Sequence, residues 1–403
     1  MKKYEKYKDS GIEWLGIIPE HWKIRRIKDL GEYKSGTFID AIDIDIDSEY
    51  PVMGGNGLRG YTNKYNRNGS YVLIGRQGAL CGNINYANGK FWATEHAVVV
   101  HSKKNIDIKW LGELLNIMNL NQYSFTTAQP GLSVEKIKAL ELPLISHKEQ
   151  KAIADYLDTK TQLIDKQIEL LNQKVDTYKE LRKTIINKVV CRGLNENVKF
   201  KDSGIDWIGK IPEHWKIERF KNFANTLKGK NLEYHNSFFE NSLPNLSLDY
   251  LRSNSSCMIY YCYSPDKSLI AKENDLIIIW DGAGVGEILK AKKGYISSTI
   301  AKLVFTKKCD PGYFYYFRYI LEYTLKRIPT GMGIPHLNPT VLNNFRFPFP
   351  PIEEQKEIKI YLDEKTQKID SILKNIYLQI VKLQELRKTL INDVVTGKIK
   401  VTE

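Results

Sequence analysis

The chain has 403 residues, enough for two to three domains, and its hydrophobic content of 42% excludes a generally disordered protein. Its 60 lysines and arginines against 47 acidic residues give a net charge of +13, which favours a polyanionic partner, nucleic acid first; codon usage in an AT-rich genome also produces lysine-rich chains. The N-terminus lacks the apolar core of a signal peptide, and no stretch is long enough to cross a membrane, which predicts a cytoplasmic protein.

The first element along the chain is a segment that occurs twice. Residues 7–24 read YKDSGIEWLGIIPEHWKI and residues 200–217 read FKDSGIDWIGKIPEHWKI, at an offset of 193 (200 − 7). Each copy, which we call an opening segment, holds two tryptophans and a Pro-Glu-His-Trp block. So dense a match predicts that the chain is a tandem duplication.

A globular region of mixed α and β structure is expected after each opening segment. Apolar and β-branched runs predict strands at 71–74, 97–100, 276–280 and 302–305, punctuated by glycine-rich turns at 53–57 and 281–286. One helix is predicted in each region, with Ile108, Leu111, Leu114, Leu115 and Met118 on one face in the first and the aromatic-rich residues 311–326 as its counterpart in the second.

The two globular regions have diverged more than the segments around them. LIGRQGALCGNI (73–84) aligns with IIIWDGAGVGEI (277–288) at an offset of 204, and Ala97 aligns with Ala301. Eleven residues (204 − 193) have therefore entered the second region, and windows 31–72 and 224–276 share no residue-level similarity. This pattern predicts a common framework around two regions that have different recognition targets.

Basic, amide and aromatic side chains in the turns of both regions are candidates for DNA contact. Lysine and arginine neutralise phosphates, while arginine, asparagine and glutamine can read base edges. Any one of these residues, taken alone, is more simply interpreted as an ordinary solvated surface side chain. The prediction therefore concerns the clusters rather than their individual members. They are Arg59, Lys64, Arg67, Arg76, Gln77, Asn83 and Asn85 in the first region, and Lys228, Lys230, Asn231, Arg252, Trp280, Lys290, Lys292 and Lys293 in the second.

A long helix is predicted after each globular region. Glu149–Asn187 repeats as Glu354–Asn392 at a constant offset of 205, without any insertion, as expected of a helix about 60 Å long. Ser146-His147-Lys148-Glu149 has a capping-box pattern, and Pro351 suits the first position of the second helix.

Both long helices carry the same heptad seam of apolar residues. The seam residues are Leu157, Ile164, Leu171, Tyr178 and Ile185 in one and Leu362, Ile369, Ile376, Leu383 and Leu390 in the other. A second row runs through Thr161, Ile168, Val175, Arg182 and Val189, and through the positions 205 residues later. So narrow a seam needs a partner helix, and we interpret the two copies as each other's partner rather than as helices on separate cores.

The predicted fold is therefore α+β, with two pseudo-repeated globular domains joined by two long antiparallel helices that form an intramolecular coiled coil. The predicted domains are residues 1–145, a first long helix at 146–193, residues 194–350, and a second long helix with a C-terminal tail at 351–403.

Motifs of catalysis are missing from the sequence. No G-x-x-x-x-G-K-[ST] loop exists, and the turn at 282–286 has Glu287 where a dinucleotide motif needs glycine. Asn338-Pro339 is followed by Thr340 rather than by the second proline of an amino-methyltransferase motif. We interpret His21 and His214 as packed beside Trp22 and Trp215, and the five cysteines, which form no C-x-x-C pair, as reduced thiols; no metal site is predicted.

Taken together, these motifs resemble the DNA-specificity subunit of Type I restriction–modification systems over essentially the whole chain. The resemblance is carried by Ser10–Trp22 and Ser203–Trp215, by Pro130-Gly131-Leu132-Ser133 leading to Leu142-Pro143-Leu144, and by the two Glu-Gln-Lys…Leu-Arg-Lys-Thr helices. The second copy departs from the pattern at Ile334-Pro335-His336-Leu337-Asn338.

The resemblance implies a non-catalytic subunit in host defence that reads a bipartite, asymmetric site in double-stranded DNA, one half per target-recognition domain. The helices would set the gap between the halves and dock two modification subunits, which methylate adenine N6; two restriction subunits would supply the motor and nuclease. It further implies that this chain binds no cofactor and that S-adenosylmethionine, ATP and Mg belong to the partner subunits.

Two other function classes are weighed against this one. A self-sufficient DNA-binding or scaffold protein would use the coiled coil to oligomerise, and would bind its site without modification subunits. A stand-alone nuclease or methyltransferase is disfavoured because its motifs are missing.

Overall fold

The computed structural model describes residues 2–78, 80–124, 131–253, 257–330 and 333–401. The chain forms two compact units: the first is Met1–Gln173 with Ile376–Glu403, and the second is Lys174–Asn375. Both divisions fall inside a long helix, so each unit contains a part of each long helix.

The first unit is built on two sheets of four strands among its described residues. Its strands are β1 Tyr7–Asp9, β2 Ile17–Pro19, β3 Lys23–Arg26, β4 Gly31–Ser35, β5 Tyr50–Gly54, β6 Gly57–Thr62, β7 Arg67–Asn68, β8 Tyr71–Gly75, β9 Ile84–Ala87, β10 Lys90–Ala93, β11 Ala97–Ser102 and β12 Glu141–Leu144. The central sheet has the order β4-β11-β8-β9, and the second sheet has the order β6-β5-β10-β7, in which β10 is parallel to β5. Two ladders, β1-β2 and β12-β3, complete the unit.

The described part of the first unit contains two short helices, and the first long helix begins in this unit. They are α1 Ile108–Ile117, α2 Val134–Ala139 and α3 His147–Arg192, with 3-10 turns at Ile27–Asp29, Ala41–Asp43 and Leu120–Tyr123. Helix α1 is capped at its N-terminus by Asp107, whose side chain accepts a hydrogen bond from the backbone of Trp110. Leu111, Leu114 and Leu115 are fully buried, so the predicted apolar face is confirmed.

The second unit repeats this architecture. Its strands are β13 Phe200–Asp202, β14 Lys210–Pro212, β15 Lys216–Arg219, β16 Ala224–Lys228, β17 Tyr234–His235, β18 Leu243–Leu246, β19 Tyr261–Cys262, β20 Ile270–Ala271, β21 Leu276–Ile279, β22 Ile288–Lys290, β23 Gly294–Ile296, β24 Ile300–Phe305 and β25 Arg346–Phe349. The described helices are α4 Leu248–Arg252, α5 Pro311–Tyr315, α6 Arg318–Arg327, α7 Pro339–Asn344 and α8 Ile352–Val395, with 3-10 turns at Phe220–Asn222 and Lys267–Leu269.

One helix predicted in the second unit is divided in the structure. Residues 311–326 form α5 and α6, separated by a turn at Tyr316 and Phe317. Both turn residues are buried, and Phe317 packs edge-on against Phe347 with ring centroids 5.4 Å apart. Aromatic packing thus accompanies a break that the apolar periodicity did not show.

Strand order reveals a correspondence that the sequences of the two units conceal. The central sheet of the second unit is β16-β24-β21-β22, the same order as in the first. In the second sheet, β18-β23-β20 matches β5-β10-β7, including the parallel pair. Strand β5 starts at Tyr50 and β18 at Leu243, an offset of 193, whereas Ala271 of β20 follows Arg67 of β7 by 204. The eleven added residues therefore lie between β18 and β20, where α4 and β19 take the place of β6.

Strand register corrects one detail of the sequence alignment. Val98 pairs with Ile74 in the first unit, and Ala301 pairs with Ile278 in the second. Since Ile74 and Ile278 are 204 apart, Ala301 corresponds to Val98 at an offset of 203. The alignment of Ala97 with Ala301 was wrong by one residue because alanine identity cannot reveal which strand neighbours pair.

The Glu-Gln pair at the start of each long helix holds the opening segment in place. Glu149 is buried and accepts hydrogen bonds from Tyr4 Oη (2.6 Å) and Trp22 Nε1 (3.2 Å), while His21 Nε2 lies 3.1 Å away. Burial, the hydrogen bond and the charge of Glu149 raise the pKa of Tyr4. Ser146 Oγ accepts a hydrogen bond from the backbone N–H of Glu149 and so caps the helix. The side chain of Glu149 contacts Trp22 and Tyr4 instead of returning to Ser146, so half of the predicted capping box forms. His21 is exposed and lies against the ring of Tyr4, with ring centroids 5.6 Å apart, while His214 packs edge-on against Trp215 at 6.4 Å as predicted.

The second unit repeats this arrangement with Glu354. Trp215 Nε1 donates to it at 3.0 Å and His214 Nε2 lies 2.9 Å from it. The neighbouring Gln355 accepts from the backbone of Asp310 and donates to the carbonyl of Pro350, as Gln150 does with Asp107 and Ile145. The duplicated Glu-Gln is therefore a clamp that joins the opening segment, the globular region and the long helix.

The long helices pack antiparallel in the first unit. Arg387 of α8 donates to both carboxylate oxygens of Asp165 of α3, at 2.9 and 3.3 Å. Nearer the start of α3, Ala152 lines a cavity together with Lys400. As residue numbers rise along α3, the numbers of the residues that face it fall, which defines antiparallel packing.

The second unit contains the equivalent pairing. Arg182 Nη2 of α3 lies 3.5 Å from Asp370 of α8, and Gly193 approaches Glu354. The seam residues are Leu157, Ile164, Ile376 and Leu390, buried in the first unit; Leu362 and Ile369, buried in the second; and Leu171, Tyr178, Ile185 and Leu383, which are partly buried. The predicted α+β fold with two antiparallel long helices is confirmed.

Candidate nucleic-acid interface

In the first unit, five of the predicted contact residues meet at one end of the central sheet. The loop Gly54–Gly57, between β5 and β6, lies against the turn that follows β8. Asn83 Nδ2 donates to Asn56 Oδ1 (3.3 Å), and Asn85 lies beside Gly57. The structure thereby brings Arg59, Arg76, Gln77, Asn83 and Asn85 to the same turn cluster.

Gly75 makes this close packing feasible. A Cβ atom added to Gly75 would lie 2.1 Å from the carbonyl oxygen of Gly55, a backbone atom that cannot swing away. The loop therefore approaches the end of β8 only because residue 75 has no side chain.

Replacing Gly75 by alanine is expected to lower the free energy of unfolding by about 3 kcal/mol, because the loop must shift. Gly78→Ala in the same turn is the matched control: it has φ +86° but nothing within 4 Å, and should cost about 1 kcal/mol of backbone strain. Urea denaturation followed by circular dichroism measures both. Equal costs for the two variants would contradict the close approach.

Arg76 and Gln77 follow the last residue of β8, and Arg76 reaches the end of β4. Arg76 Nη1 donates to Ser35 Oγ (3.1 Å), while its buried Nε has no hydrogen-bond partner among the described residues. Gln77 is exposed and pairs through its backbone with Gly131. Asn85 Nδ2 is likewise buried and unpartnered within the described part of the chain. These two donors are shielded from solvent, whereas the exposed amide of Gln77 can reach a base or phosphate acceptor.

Two residues of the first predicted set lie apart from that cluster. Lys64 Nζ is 3.6 Å from Asp43, and Arg67 on β7 donates to the carbonyl of Asn66 at 2.6 Å. Lys64 and Arg67 therefore contact other residues than Arg76 does, and the structure does not place them in the turn cluster.

In the second unit, the equivalent sheet end holds a charged cluster. Lys228 Nζ donates to Asp281 Oδ2 (3.0 Å) and lies 5.6 Å from the ring centroid of Trp280. His336 Nδ1 is 2.6 Å from Asp281 Oδ1. Partial burial alone would raise the pKa of Asp281, but hydrogen bonds and charge from His336 and Lys228 outweigh it and lower that pKa. The carboxylate is therefore held ionised between Lys228 and His336.

The other predicted residues of the second unit are spread over its surface. Lys230 pairs with Asp266, Arg252 forms a bidentate pair with Glu287, and Lys290 lies over the ring of Tyr315. Lys292 is used inside the unit, since its Nζ donates to the carbonyls of Tyr250 (2.7 Å) and Ser253 (2.8 Å). Asn231 and Lys293 are exposed. Of this set, the structure joins Lys228 and Trp280 to the cluster at the sheet end.

Sequence reasoning missed Ser35, Asp281 and His336. Asp281 opens a turn that the glycine pattern did identify, and His336 stands where the second copy departs from the first. Those two signals lie 55 residues apart in the chain, and only pairing of the strands and loops brings them together. Gln129 and Pro130, which share that loop position in the first copy, and Ala79 of the first glycine-rich turn lie outside the described residues.

The described part of the chain contains neither a metal-binding cluster nor a membrane-spanning helix. No group of three or more His, Cys, Asp or Glu side chains there could hold a metal ion. No helix in the same ranges is both long and apolar enough to cross a membrane.

Comparison with known proteins gives a consistent family. The family model described as the Type I restriction modification DNA specificity domain matches residues 19–177 and 212–382. The EcoprrI specificity subunit of Escherichia coli is 42% identical over 161 residues, which cover 39% of this chain and 40% of that protein. The MjaVIII specificity subunit of Methanocaldococcus jannaschii is 33% identical over 46% of this chain and 43% of its own length. The chain thus spans less than half the length of these two relatives.

Longer matches are more distant in sequence. The putative MjaX specificity subunit of Methanocaldococcus jannaschii is 24% identical over 99% of this chain and 98% of its own. A chain from a structural study of the assembly and conformational transition of the type I R-M system matches with a TM-score of 0.73 and 17% identity, covering 95% of this chain and 99% of that one. The HsdS subunit from Thermoanaerobacter tengcongensis matches with a TM-score of 0.57 and 17% identity, covering 97% and 100%. At these identities the structural likeness is one of fold.

Proposed function

Since this chain belongs to the Type I restriction–modification DNA specificity family and matches its model twice, we propose that it reads a bipartite, asymmetric site in double-stranded DNA, one half with each unit. Its relatives are named specificity subunits, the DNA-recognition component of Type I enzymes rather than the catalytic one.

One observation carries this proposal. Both units share the order of the central sheet and the clamp on the opening segment, yet the side chains at the equivalent sheet ends differ in kind. The first unit has Arg76 and Gln77 there, and the second has Trp280 and Asp281. A shared backbone with different side chains is what two different half-sites require, because base edges are distinguished by their patterns of donors and acceptors.

The duplicated clamps and long helices support the proposed partners. Two copies of one partner need two copies of the surface that they bind, and the opening segments and helix starts are the parts of this chain that recur with the same contacts. We therefore assign them to two modification subunits, which carry S-adenosylmethionine and methylate adenine N6. Two restriction subunits with ATP and Mg would complete a cytoplasmic restriction enzyme.

Co-purification tests the proposal against its alternative. The tagged chain is expressed with and without its modification subunits, and host DNA is sequenced for 6-methyladenine. We expect a stable complex, methylation of one bipartite motif, and no methylation by the chain alone with S-adenosylmethionine. Tight, sequence-specific binding by the isolated chain would instead support a self-sufficient DNA-binding protein.

Exchanging residues 31–140 for those of a relative should change one half of the methylated motif and leave the other half and the gap unchanged. This follows because that stretch includes the first turn cluster but neither long helix. The matched control exchanges 224–345 and should change the other half. Methylome sequencing reads both results, and altered bases in both halves after either exchange would contradict modular recognition.

A further inference from the structure

Backbone hydrogen bonds show which residues of the two turn clusters are equivalent. The backbone of Arg76 donates to the carbonyl of His96 (3.0 Å), and the backbone of Trp280 donates to the carbonyl of Thr299 (2.8 Å). Each of these residues follows the last strand position of the same central strand, β8 or β21. Positions 76 and 280 are therefore the same place in the fold, although one holds a cation and the other an indole.

The next position is also equivalent and is tied to the same loop. Gln77 forms a backbone bridge with Gly131, and Asp281 forms one with His336. In the first unit the loop residue is glycine and contributes no side chain. In the second it contributes an imidazole that contacts the carboxylate. The site thus exchanges an amide, which donates and accepts, for a carboxylate, which only accepts.

The carboxylate of Asp281 has acceptor capacity left over. Its Oδ1 faces His336 Nδ1 at 2.6 Å, and its Oδ2 accepts from Lys228 Nζ at 3.0 Å. Two ionised oxygens offer about four acceptor positions, so about two remain. The side chain is 16% exposed, and its neighbours His336 and Lys228 are 49% and 44% exposed. A ligand donor can reach it from solvent.

Lys228 removes the electrostatic objection to an acid at a DNA surface. An isolated carboxylate would repel the phosphates, whereas Lys228 balances its charge within hydrogen-bond distance. The contacts with His336 and Lys228 also fix the orientation of the Asp281 carboxylate, so that little side-chain conformational entropy is lost on binding. In the major groove, Asp and Glu accept from the exocyclic N4 amino group of cytosine.

From this geometry, and resting on the proposed function, we propose that Asp281 is a specificity-determining residue of the second unit. It accepts a hydrogen bond from cytosine N4 at one position of the second half-site, while His336 and Lys228 position it. Gln77 occupies the equivalent place in the first unit and reads the first half-site with a different rule.

The test uses the complex of the full chain with its modification subunits. Methylation rates are measured on duplexes that carry each of the four base pairs, in turn, at every position of the second half-site. The native complex should prefer cytosine at one position by about 10-fold or more, within the range of a single good base contact. Asp281→Asn should reduce that preference to less than about threefold and leave the other positions unchanged. Glu240→Gln, which removes the charge of an exposed acid in the same unit outside both the opening segment and the cluster at the sheet end, is the matched control and should change nothing.

Each outcome bears on one claim. A purely structural role for Asp281 would slow methylation of all duplexes equally, and that result, an unchanged profile, or a change in the first half-site would overturn the inference. If Asp281→Asn prevents assembly, Gln77→Asp decides: it should raise the tolerance for cytosine at one position of the first half-site, and no such gain refutes the inference. A native complex that methylates no bipartite motif would refute the proposed function instead.

Discussion

Glu149→Ala is expected to lower the free energy of unfolding of the first unit by about 3 kcal/mol. The substitution removes the acceptor of Trp22 Nε1, whose side chain is fully buried, and of Tyr4 Oη. A buried donor that loses its partner costs about 1–3 kcal/mol, because neither water nor another group replaces it. The exposed His21 can turn to solvent and adds little.

The duplication supplies an internal control for this prediction. Glu354 has the same role in the second unit, but its side chain is 22% exposed against 8% for Glu149, and Tyr4 has no counterpart there because the equivalent residue is Asn197. Glu354→Ala should therefore cost about half as much, since one buried donor is orphaned instead of two. Hydrogen exchange of peptides from each opening segment, measured in mild urea, separates the units. Equal losses in both would contradict the role assigned to burial.

Adding one heptad to each long helix should lengthen the gap between the two half-sites by about 3 base pairs without changing either half. Seven residues add about 10 Å to a helix, and B-DNA rises about 3.4 Å per base pair. A heptad keeps the seam in register, because seven residues are close to two full turns. The insertions belong between residues 173 and 174 and between 375 and 376, where the contact pattern divides.

The control for this prediction is a heptad in one helix alone. The pairs Asp165–Arg387 and Asp370–Arg182 hold the two helices antiparallel, so a single insertion moves one member of the pairing past the other. We expect it to abolish methylation of both the original and the lengthened site. Methylome sequencing of hosts carrying each variant gives the gap directly. If the double insertion altered the bases of either half, the helices would not act as a ruler.

Much of the fold could be predicted because its signals are local or periodic. The heptad seam from Leu157 to Ile185 is visible in the sequence, since helical geometry relates residues three and four apart. The strands around Leu73 and Ile277 follow from runs of β-branched and apolar residues. The equivalence of β5 with β18 could not be predicted in this way, because pairing partners such as Trp92 and Val52 share no sequence pattern with their counterparts.

The candidate site was predicted in composition but not in arrangement. Arg76, Gln77 and Asn83 were identified because they lie in a glycine-rich turn, and the structure keeps them together. Lys292 has the same composition signal as Lys228, yet its ammonium serves two backbone carbonyls inside the unit. The sequence cannot distinguish a lysine that is free to bind a ligand from one that donates to backbone carbonyls of its own unit, because it does not show the acceptors.

The sequence by itself determined that this chain is a tandem duplication with two long helices in one register, because repetition and periodicity survive in the order of the residues. Only the tertiary structure decided what the repeated residues do. It brought Glu149 into hydrogen-bond contact with Trp22, 127 residues away in the chain, and His336 into contact with Asp281, 55 residues away. The physical reason is that a hydrogen bond depends on distance in space, to within about 3 Å, and the path of the backbone sets that distance.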